Sequence, residues 1–280
     1  MSGQGFEIRP MHREELDLAL AWAAEEGWNP GLKDAEAFWA CDPQGFFVAI
    51  QDGRPVGSVS MVRYQGGFAF GGLFMVRPEL RGQGTGAALA AKALEQGTGH
   101  VIGQDGVVAQ QENYKRMGFK WRFANRRYQG QGGGEAPAGL RPLSSVPFEQ
   151  VAALDLECFG YPREAFLRVW LDQPGGAALG KTGPGGLQGY GVLRPCREGF
   201  KIGPLFAQTP QAAGELFRGL LAAAPGQAVF FDAPDPNQAA VDLAVGAGME
   251  PVFETARMYM NGEPSLPLEK IFGITSFELG

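Results

Sequence analysis

An arginine followed by three alternating glycines is the segment of this chain best suited to bind a ligand. Arg81, Gly82, Gly84 and Gly86 follow an apolar strand-like run and precede an Ala/Leu-rich helical stretch. Glycines let the backbone approach a ligand closely, and the first N–H groups of a helix are unpaired and carry partial positive charge. Such a loop is typical of a phosphate or pyrophosphate site, where Arg81 would add a fixed cation.

Two interpretations of these glycines compete. Gly82, Gly84 and Ala87 fit the dinucleotide-binding pattern G-x-G-x-x-G/A, and Asp105 follows at about the right distance. Against this interpretation, the motif follows several earlier strand and helix signals, and Arg81 directly precedes the glycines. Moreover, no second βαβ unit begins clearly after Asp105. A dinucleotide-binding oxidoreductase is therefore the less favoured alternative.

A second motif favours a different interpretation of the glycines. Tyr114 lies on a predicted helix and is followed four and five residues later by Gly118 and Phe119. Together with the spacing of segment 81–86, this order of motifs resembles the GNAT (Gcn5-related) superfamily of acyl-CoA-dependent N-acetyltransferases. The resemblance implies one acyl-CoA site, on which the acyl group lies between two splayed strands, residues 68–76 and 100–107.

The resemblance also implies which residues bind acetyl-CoA as co-substrate. Backbone groups on the first splayed strand would hold the pantetheine and polarise the thioester carbonyl, and the glycine loop would hold the pyrophosphate. The implied cofactor-binding residues are Phe74, Val76, Arg81, Gly82, Gln83, Gly84, Thr85 and Gly86.

Tyr114 and Asp105 are the candidate catalytic residues. A phenol, with a pKa near 10, can donate a proton to the departing thiolate, so Tyr114 is the candidate acid; it could instead pack against Phe119. Asp105 lies at the end of the second splayed strand and is the candidate base. It could instead be a turn residue before Gly106, which is a common role for such an aspartate, and a water chain without a single base also stays open.

The acceptor wall is expected to include Trp28 and Asn29, which lie in a Gly/Asn/Pro-rich turn after the first helix. Trp28 could also be a core residue. Asp232 occupies the strand of a second copy of the fold that corresponds to the strand of Asp105, so it could face a shared cleft. Pockets are common between domains, and we therefore expect the second copy to cover the acceptor end.

That second copy is visible as an internal repeat. Residues 45–76 and 177–208 align with a constant offset, and GFAFGGLF at 67–74 recurs as GFKIGPLF at 199–206. Strands interleaved with helices predict an α/β (α+β) fold of two tandem GNAT-like domains, each with a mixed, mostly antiparallel sheet. We place the domains at 1–130 and 141–280, joined by a Gly-rich linker at 131–140.

The second copy has lost the loop. Segment 208–214 has no arginine and one glycine, and Pro210 removes a backbone donor. The second domain is therefore predicted to be a degenerate GNAT copy. The final segment, 271–279, alternates like a strand and is predicted to pair with a sheet edge.

Composition excludes several classes. A net charge of −6 argues against a nucleic-acid partner, and two distant histidines and three scattered cysteines argue against a metal. No apolar run is long enough for a membrane helix, and no signal pattern opens the chain, so a cytoplasmic monomer or homodimer with free thiols is expected.

The predicted function is acetyl transfer from acetyl-CoA to a primary amine of a small molecule by direct attack in a ternary complex. A non-catalytic acyl-CoA sensor is the alternative.

Overall fold

In the computed structural model, which describes residues 5–280, helices flank a single large sheet. The α-helices are α1 Arg13–Glu25, α2 Asp34–Cys41, α3 Thr85–Gln96, α4 Gln111–Arg116, α5 Phe148–Phe159, α6 Glu164–Trp170, α7 Pro210–Ala222 and α8 Gln238–Gly246. The strands are β1 Glu7–Pro10, β2 Phe46–Gln51, β3 Arg54–Tyr64, β4 Phe68–Val76, β5 Val101–Val107, β6 Lys120–Gln131, β7 Leu140–Pro142, β8 Ala177–Gly183, β9 Gly186–Pro195, β10 Phe200–Ala207, β11 Ala228–Pro234, β12 Glu250–Met260 and β13 Ile271–Gly273.

The two repeats share this sheet by exchanging their last strands. The strand order is β1-β2-β3-β4-β5-β12-β6-β11-β10-β9-β8-β7, with β13 pairing to β10. Thus β12 of the second repeat lies beside β5 of the first, and β6 of the first lies beside β11 of the second. The predicted fold, two α/β repeats with mostly antiparallel strands, is confirmed, but the two sheets are joined into one.

An ion pair clamps each exchanged strand to the other repeat. Arg257 of β12 faces Asp105 of β5, and its Nε and Nη2 both donate to the carboxylate at 2.8 Å. Arg127 of β6 faces Asp232 of β11 in the same way, at 2.6 and 2.8 Å. All four side chains are buried. The two pairs occupy equivalent places in the repeats, so the exchange is a symmetric feature of the fold.

Each repeat also contains a pair of parallel strands that separate. Strands β4 and β5 pair only up to Gly71 and Gln104, and β10 and β11 pair only up to Ile202 and Phe231. Beyond these points the strands of each pair diverge, and we call the gap between the diverging strands the splay of that repeat.

The C-terminal segment fills the splay of the second repeat. Strand β13 pairs with Leu205 and Phe206 of β10, and the Ile274 N–H donates to the Asp232 carbonyl of β11 at 3.0 Å. The prediction of a strand over 271–279 at a sheet edge is therefore wrong. Only Ile271–Gly273 forms a strand, and it pairs with an interior strand. The apolar residues of this segment are buried because it runs through the protein.

The turn between β2 and β3 and the Gly-rich linker have defined backbone conformations. Asp52 and Gly53, in the turn between β2 and β3, both have positive φ (51° and 74°). In the proposed linker, the N–H groups of Gly132 and Gly133 donate to carbonyls of Gln227 and Leu221. No helix in the described part of the chain has the length and apolar character needed to cross a membrane. The opening segment, in which the sequence predicts no signal peptide, includes residues 1–4, which lie outside the described residues.

Candidate active site

A cavity of about 840 Å³ occupies the splay of the first repeat. It runs from the glycine loop, between β4 and the helices α3 and α4, to the exchanged strand β12 and the C-terminal segment. One end is therefore formed by the start of a helix, and the other end is formed by parts of the second repeat.

The glycine loop leaves the start of α3 open. Gly84 is the N-cap residue, with φ 94°, and Gly82 has φ 78°, conformations that favour glycine. Because the N-cap has no side chain, none competes with a ligand for the first N–H groups of the helix, which have no partner within it. The predicted residues Gly82 and Gly86 line the cavity, while Gln83 donates from Nε2 to the Glu79 carbonyl at 3.3 Å and Thr85 is buried.

Arg81 lies at this end of the cavity, with its side chain about half exposed (52%). Its Nη2 donates to Glu26 Oε1 at 2.5 Å, and its Nε donates to the Val76 carbonyl at 2.9 Å. The guanidinium is thus held beside the loop, and an anionic ligand would compete with Glu26 for it.

The predicted strand residues Phe74 and Val76 line the cavity. A register shift in the pairing of β4 with β3 lies next to Leu73, whose φ is 45°. The Ser58 hydroxyl donates to the Leu73 carbonyl at 2.8 Å and holds this irregular turn of the strand. Beyond Gly71 the edge of β4 has no pairing with β5, so an extended ligand with amide groups can add to it as a strand would.

Tyr114 projects from α4 into the wall of the cavity. Its ring lies over Gly106, where an added Cβ would be 2.7 Å from the ring, and it also meets Phe119 edge-on at 6.3 Å between centroids. Burial raises the pKa of Tyr114 to about 12. The hydroxyl is therefore protonated at neutral pH and is available as a donor.

Asp105 lines the same cavity, but its carboxylate is already engaged. Besides the two bonds from Arg257, it accepts one from Asn125 Nδ2 at 2.7 Å. Burial raises the pKa of Asp105, and the Arg257 guanidinium and the Asn125 amide oppose that shift. It is a strand residue rather than a turn residue.

The three residues predicted to form the acceptor wall do not all lie at the cavity. Trp28 lines the cavity, whereas Asn29 and Asp232 are not among the described residues that do. Asn29 binds the backbone of Glu198 in both directions, at 2.9 Å each, and Asp232 is bound by Arg127. Arg127 also donates to the Trp28 carbonyl at 2.7 Å. The turn after α1 is thus docked on the second repeat.

Among the lining residues that sequence reasoning missed, four come from the second half of the chain. They are Phe253 and Thr255 of the exchanged strand and Phe277 and Glu278 of the C-terminal segment. Phe253 matches Phe123 in the repeat alignment, but that signal places it in the second repeat and not at the site of the first. Glu278 is the one charged residue of segment 271–279, which was the available signal.

Comparison with known proteins identifies the family. Models of the acetyltransferase (GNAT) domain match residues 42–121 and 151–273. A protein named holothin acyltransferase, from Pseudoalteromonas sp. (strain SANK 73390), is 32% identical over 99% of this chain and 95% of its own length. The chain belongs to the GNAT acyltransferase family.

Solved structures show the same fold for this GNAT protein. A putative acetyltransferase from Pyrococcus horikoshii has a TM-score of 0.86 at 20% identity, covering 100% of this chain and 98% of its own. A tandem GNAT protein from the clavulanic acid biosynthesis pathway has a TM-score of 0.66 at 16% identity, covering 93% and 100%. The two family-model matches and the 32%-identical relative confirm the acyltransferase class, and together with the tandem neighbour they confirm the tandem arrangement.

Membership in the family explains the loop. GNAT proteins use acyl-CoA co-substrates, so the glycine loop, the β4 edge and the cavity are the parts of this fold suited to such a donor. The dinucleotide interpretation does not fit, because it requires a doubly wound parallel sheet. In the first repeat, β4 and β5 are the parallel pair in an otherwise antiparallel arrangement of the described strands.

Proposed function

We propose that this GNAT protein transfers an acetyl group from acetyl-CoA to a primary amine of a small molecule, by direct attack in a ternary complex. The observation that carries the proposal is one continuous cavity. It connects an open helix start and an unpaired strand edge to a buried end lined by Trp28, Asp105 and Glu278. A donor and an acceptor can therefore meet within it.

In this proposal the N–H groups at 83–86 and the Arg81 guanidinium bind the pyrophosphate, since both place positive charge at one end of the cavity. The pantetheine arm adds to the edge of β4 beside Phe74 and Val76. Its thioester then lies where β4 leaves β5, near Gly71 and Tyr114. We further propose that the acyl-CoA site belongs to the unit 1–130 and that 141–280, after the linker 131–140, is the degenerate copy.

The chemistry follows from these positions. The amine nitrogen attacks the thioester carbonyl carbon, the C–N bond forms, the C–S bond breaks, and the Tyr114 phenol gives the thiolate a proton. Cys41, Cys158 and Cys196 are not among the described residues that line the cavity. A thiol intermediate thus has no candidate there, which favours direct attack. Asp105 stays a predicted base.

The acceptor class rests on the relative. The name of the 32%-identical protein, holothin acyltransferase, indicates transfer to a small molecule. The apolar side chains of Trp28, Phe253 and Phe277 around the buried end suit a compact acceptor with apolar or aromatic character.

The test is CoA release from acetyl-CoA with amino acids, polyamines, amino sugars, peptides and holothin as acceptors. Initial rates at varied concentrations of both substrates should give intersecting double-reciprocal lines. Parallel lines would indicate an acyl-enzyme and contradict direct attack. Tight acetyl-CoA binding with no release from any acceptor would favour the sensor, and stabilisation by NAD(P) with none by coenzyme A would reject an acyl-CoA site.

A further inference from the structure

We propose that Glu278 is the residue that binds the ammonium group of the acceptor and takes its proton. This inference rests on the proposed transfer to an amine and names the group that activates the amine. It differs from the sequence-based prediction of Asp105, and it assigns a catalytic role in the first repeat to the C-terminal segment.

Glu278 lies where the acyl group is expected. The segment leaves the second splay after Ile274 and crosses to the first repeat, where the Tyr64 hydroxyl donates to the Leu279 carbonyl at 2.8 Å. The backbone of Glu278 packs so closely on Gly72 that a Cβ there would overlap the Glu278 carbonyl oxygen. Gly72 is part of the irregular turn of β4. The segment is therefore seated directly beside the point where β4 diverges from β5.

One oxygen of the Glu278 carboxylate has no hydrogen-bond partner among the described residues. The residue is 3% exposed and lines the cavity, and its Oε1 is buried without a hydrogen-bond partner within residues 5–280. An ionised carboxylate is costly to bury unless it is paired, so this oxygen is poised for a cationic or hydrogen-bonding ligand. An acceptor ammonium would supply the missing partner.

The other two carboxylates among the described lining residues already accept hydrogen bonds from protein side chains. Glu26 lies at the glycine-loop end and is bonded to Arg81, and Asp105 is held by Arg257 and Asn125. A base must have an accessible lone pair within hydrogen-bond reach of the proton that it removes. Of the carboxylates among the described lining residues, Glu278 best meets that requirement.

Charged groups from four other elements act on Glu278. Burial raises the pKa of the Glu278 carboxyl group, and the nearby Asp34 carboxylate raises it further. The positive charges of Lys201, Arg127 and Arg194 oppose this rise. These four groups are themselves bonded: Arg127 to Asp232, Arg194 to Asp34, and Lys201 to the Asn29 carbonyl at 2.9 Å. They set the potential around Glu278 without occupying its oxygens.

The proton balance is complete with groups of the proposed reaction. The ammonium gives one proton to Glu278, and the neutral amine then forms the C–N bond as the C–S bond breaks. Tyr114 protonates the thiolate, and the second nitrogen proton passes through water to restore Tyr114. Glu278 releases its proton to solvent, so each turnover yields amide, CoA thiol and one proton.

The experiment compares Glu278→Gln with Glu269→Gln, a change at an exposed residue of the same C-terminal part of the chain. Acetyl-CoA affinity is measured by calorimetry, and kcat/KM for the best acceptor is measured from pH 6 to 10. With Glu278→Gln we expect kcat/KM at neutral pH to fall about 10²–10³-fold with acetyl-CoA affinity retained. The deficit should shrink as the pH rises, because the acceptor then loses its proton to solvent.

Glu269→Gln should match wild type throughout. The inference would be overturned if Glu278→Gln kept wild-type kcat/KM and pH dependence, or if it lost acetyl-CoA affinity together with activity, which a structural role would produce. Failure of the proposed function looks different: the wild-type protein itself would then release no CoA with any amine.

Discussion

The two repeats begin the helix after their first splayed strand in opposite ways. In the first, α3 begins after Gly84, which has a positive φ and no capping side chain. In the second, Thr209 caps α7 by accepting from the Ala212 N–H at 3.2 Å, and Pro210 occupies the first turn. The first helix start is thus open to an anion, whereas the second is satisfied by its own residues.

The splay of the first repeat is likewise open, and the splay of the second repeat is filled by the chain itself. The first encloses the cavity, and the second is filled by β13, with Phe272 fully buried in the core of the second repeat. The repeat that lost its loop has therefore also lost its space. In the second repeat the chain itself therefore supplies the hydrogen bonds and fills the volume that stay open in the first.

The clamp of the exchanged strands, by contrast, is retained in both repeats. Replacing Asp232 or Asp105 by alanine would leave a buried arginine unpaired. We expect each change to lower the free energy of unfolding by about 3–5 kcal/mol. Urea denaturation measures it, with Glu164→Ala in an exposed pair with Arg168 as the control, where the loss should stay below about 1 kcal/mol.

Equal losses for the two aspartates would confirm that the clamps are equivalent. If Asp105 also acts as base, Asp105→Asn should lower kcat far more than Asp232→Asn does at matched folded fraction. Equal kcat values for the two variants would leave Asp105 a structural role only.

Gly71 and Gly203 are equivalent positions, one at the open splay and one at the filled splay. A Cβ at Gly203 would lie 2.6 and 2.7 Å from the carbonyl oxygens of Ile274 and Thr275, whereas at Gly71 the nearest atom, Met61 Cε, is 3.4 Å away. Gly203→Ala should therefore destabilise by about 1–3 kcal/mol, and Gly71→Ala by clearly less. Thermal and urea unfolding test this, and similar losses at both positions would mean that the C-terminal segment does not fill the second splay tightly.

The two helix starts can be compared directly by binding. Gly84→Ala places a side chain at φ 94°, a conformation that costs about 1–2 kcal/mol. The free loop can relieve this strain by changing conformation, and binding must then restore the strained one, so we expect acetyl-CoA affinity to fall about tenfold, measured by calorimetry. Thr209→Ala should cost about 1 kcal/mol of stability through loss of the cap and leave acetyl-CoA affinity unchanged. An affinity loss with Thr209→Ala would indicate that the second repeat still contributes to the donor site.

The smallest expected effect concerns Glu278 in the unliganded protein. Because its folded-state pKa is raised, the ionised carboxylate opposes folding, and the stability that it contributes below its unfolded pKa is lost as pH rises through the folded pKa. Glu278→Gln should thus gain thermal stability relative to wild type at pH 8 but not at pH 4. A melting-temperature difference that does not change with pH would contradict the raised pKa.

Much of the local structure was predictable, because it depends on residues that are close to one another in the sequence. The glycine loop, the strand β4 and the helix bearing Tyr114 follow from glycine conformation and from apolar periodicity. Helices α2 and α5 were not predicted: α2 is short, and α5 lies before the part of the second repeat where the alignment is clear.

The sequence by itself determined that the fold occurs twice and that one copy lost its phosphate loop, since both are matters of residue type and spacing. Only the tertiary structure decided that β6 and β12 change places, that Asp105 and Asp232 are bound by arginines of the other repeat, and that Glu278 lines the first cavity. The reason is physical: an alternating apolar segment specifies that it will be buried, but its partner depends on which splay is left unfilled once the rest of the chain has packed.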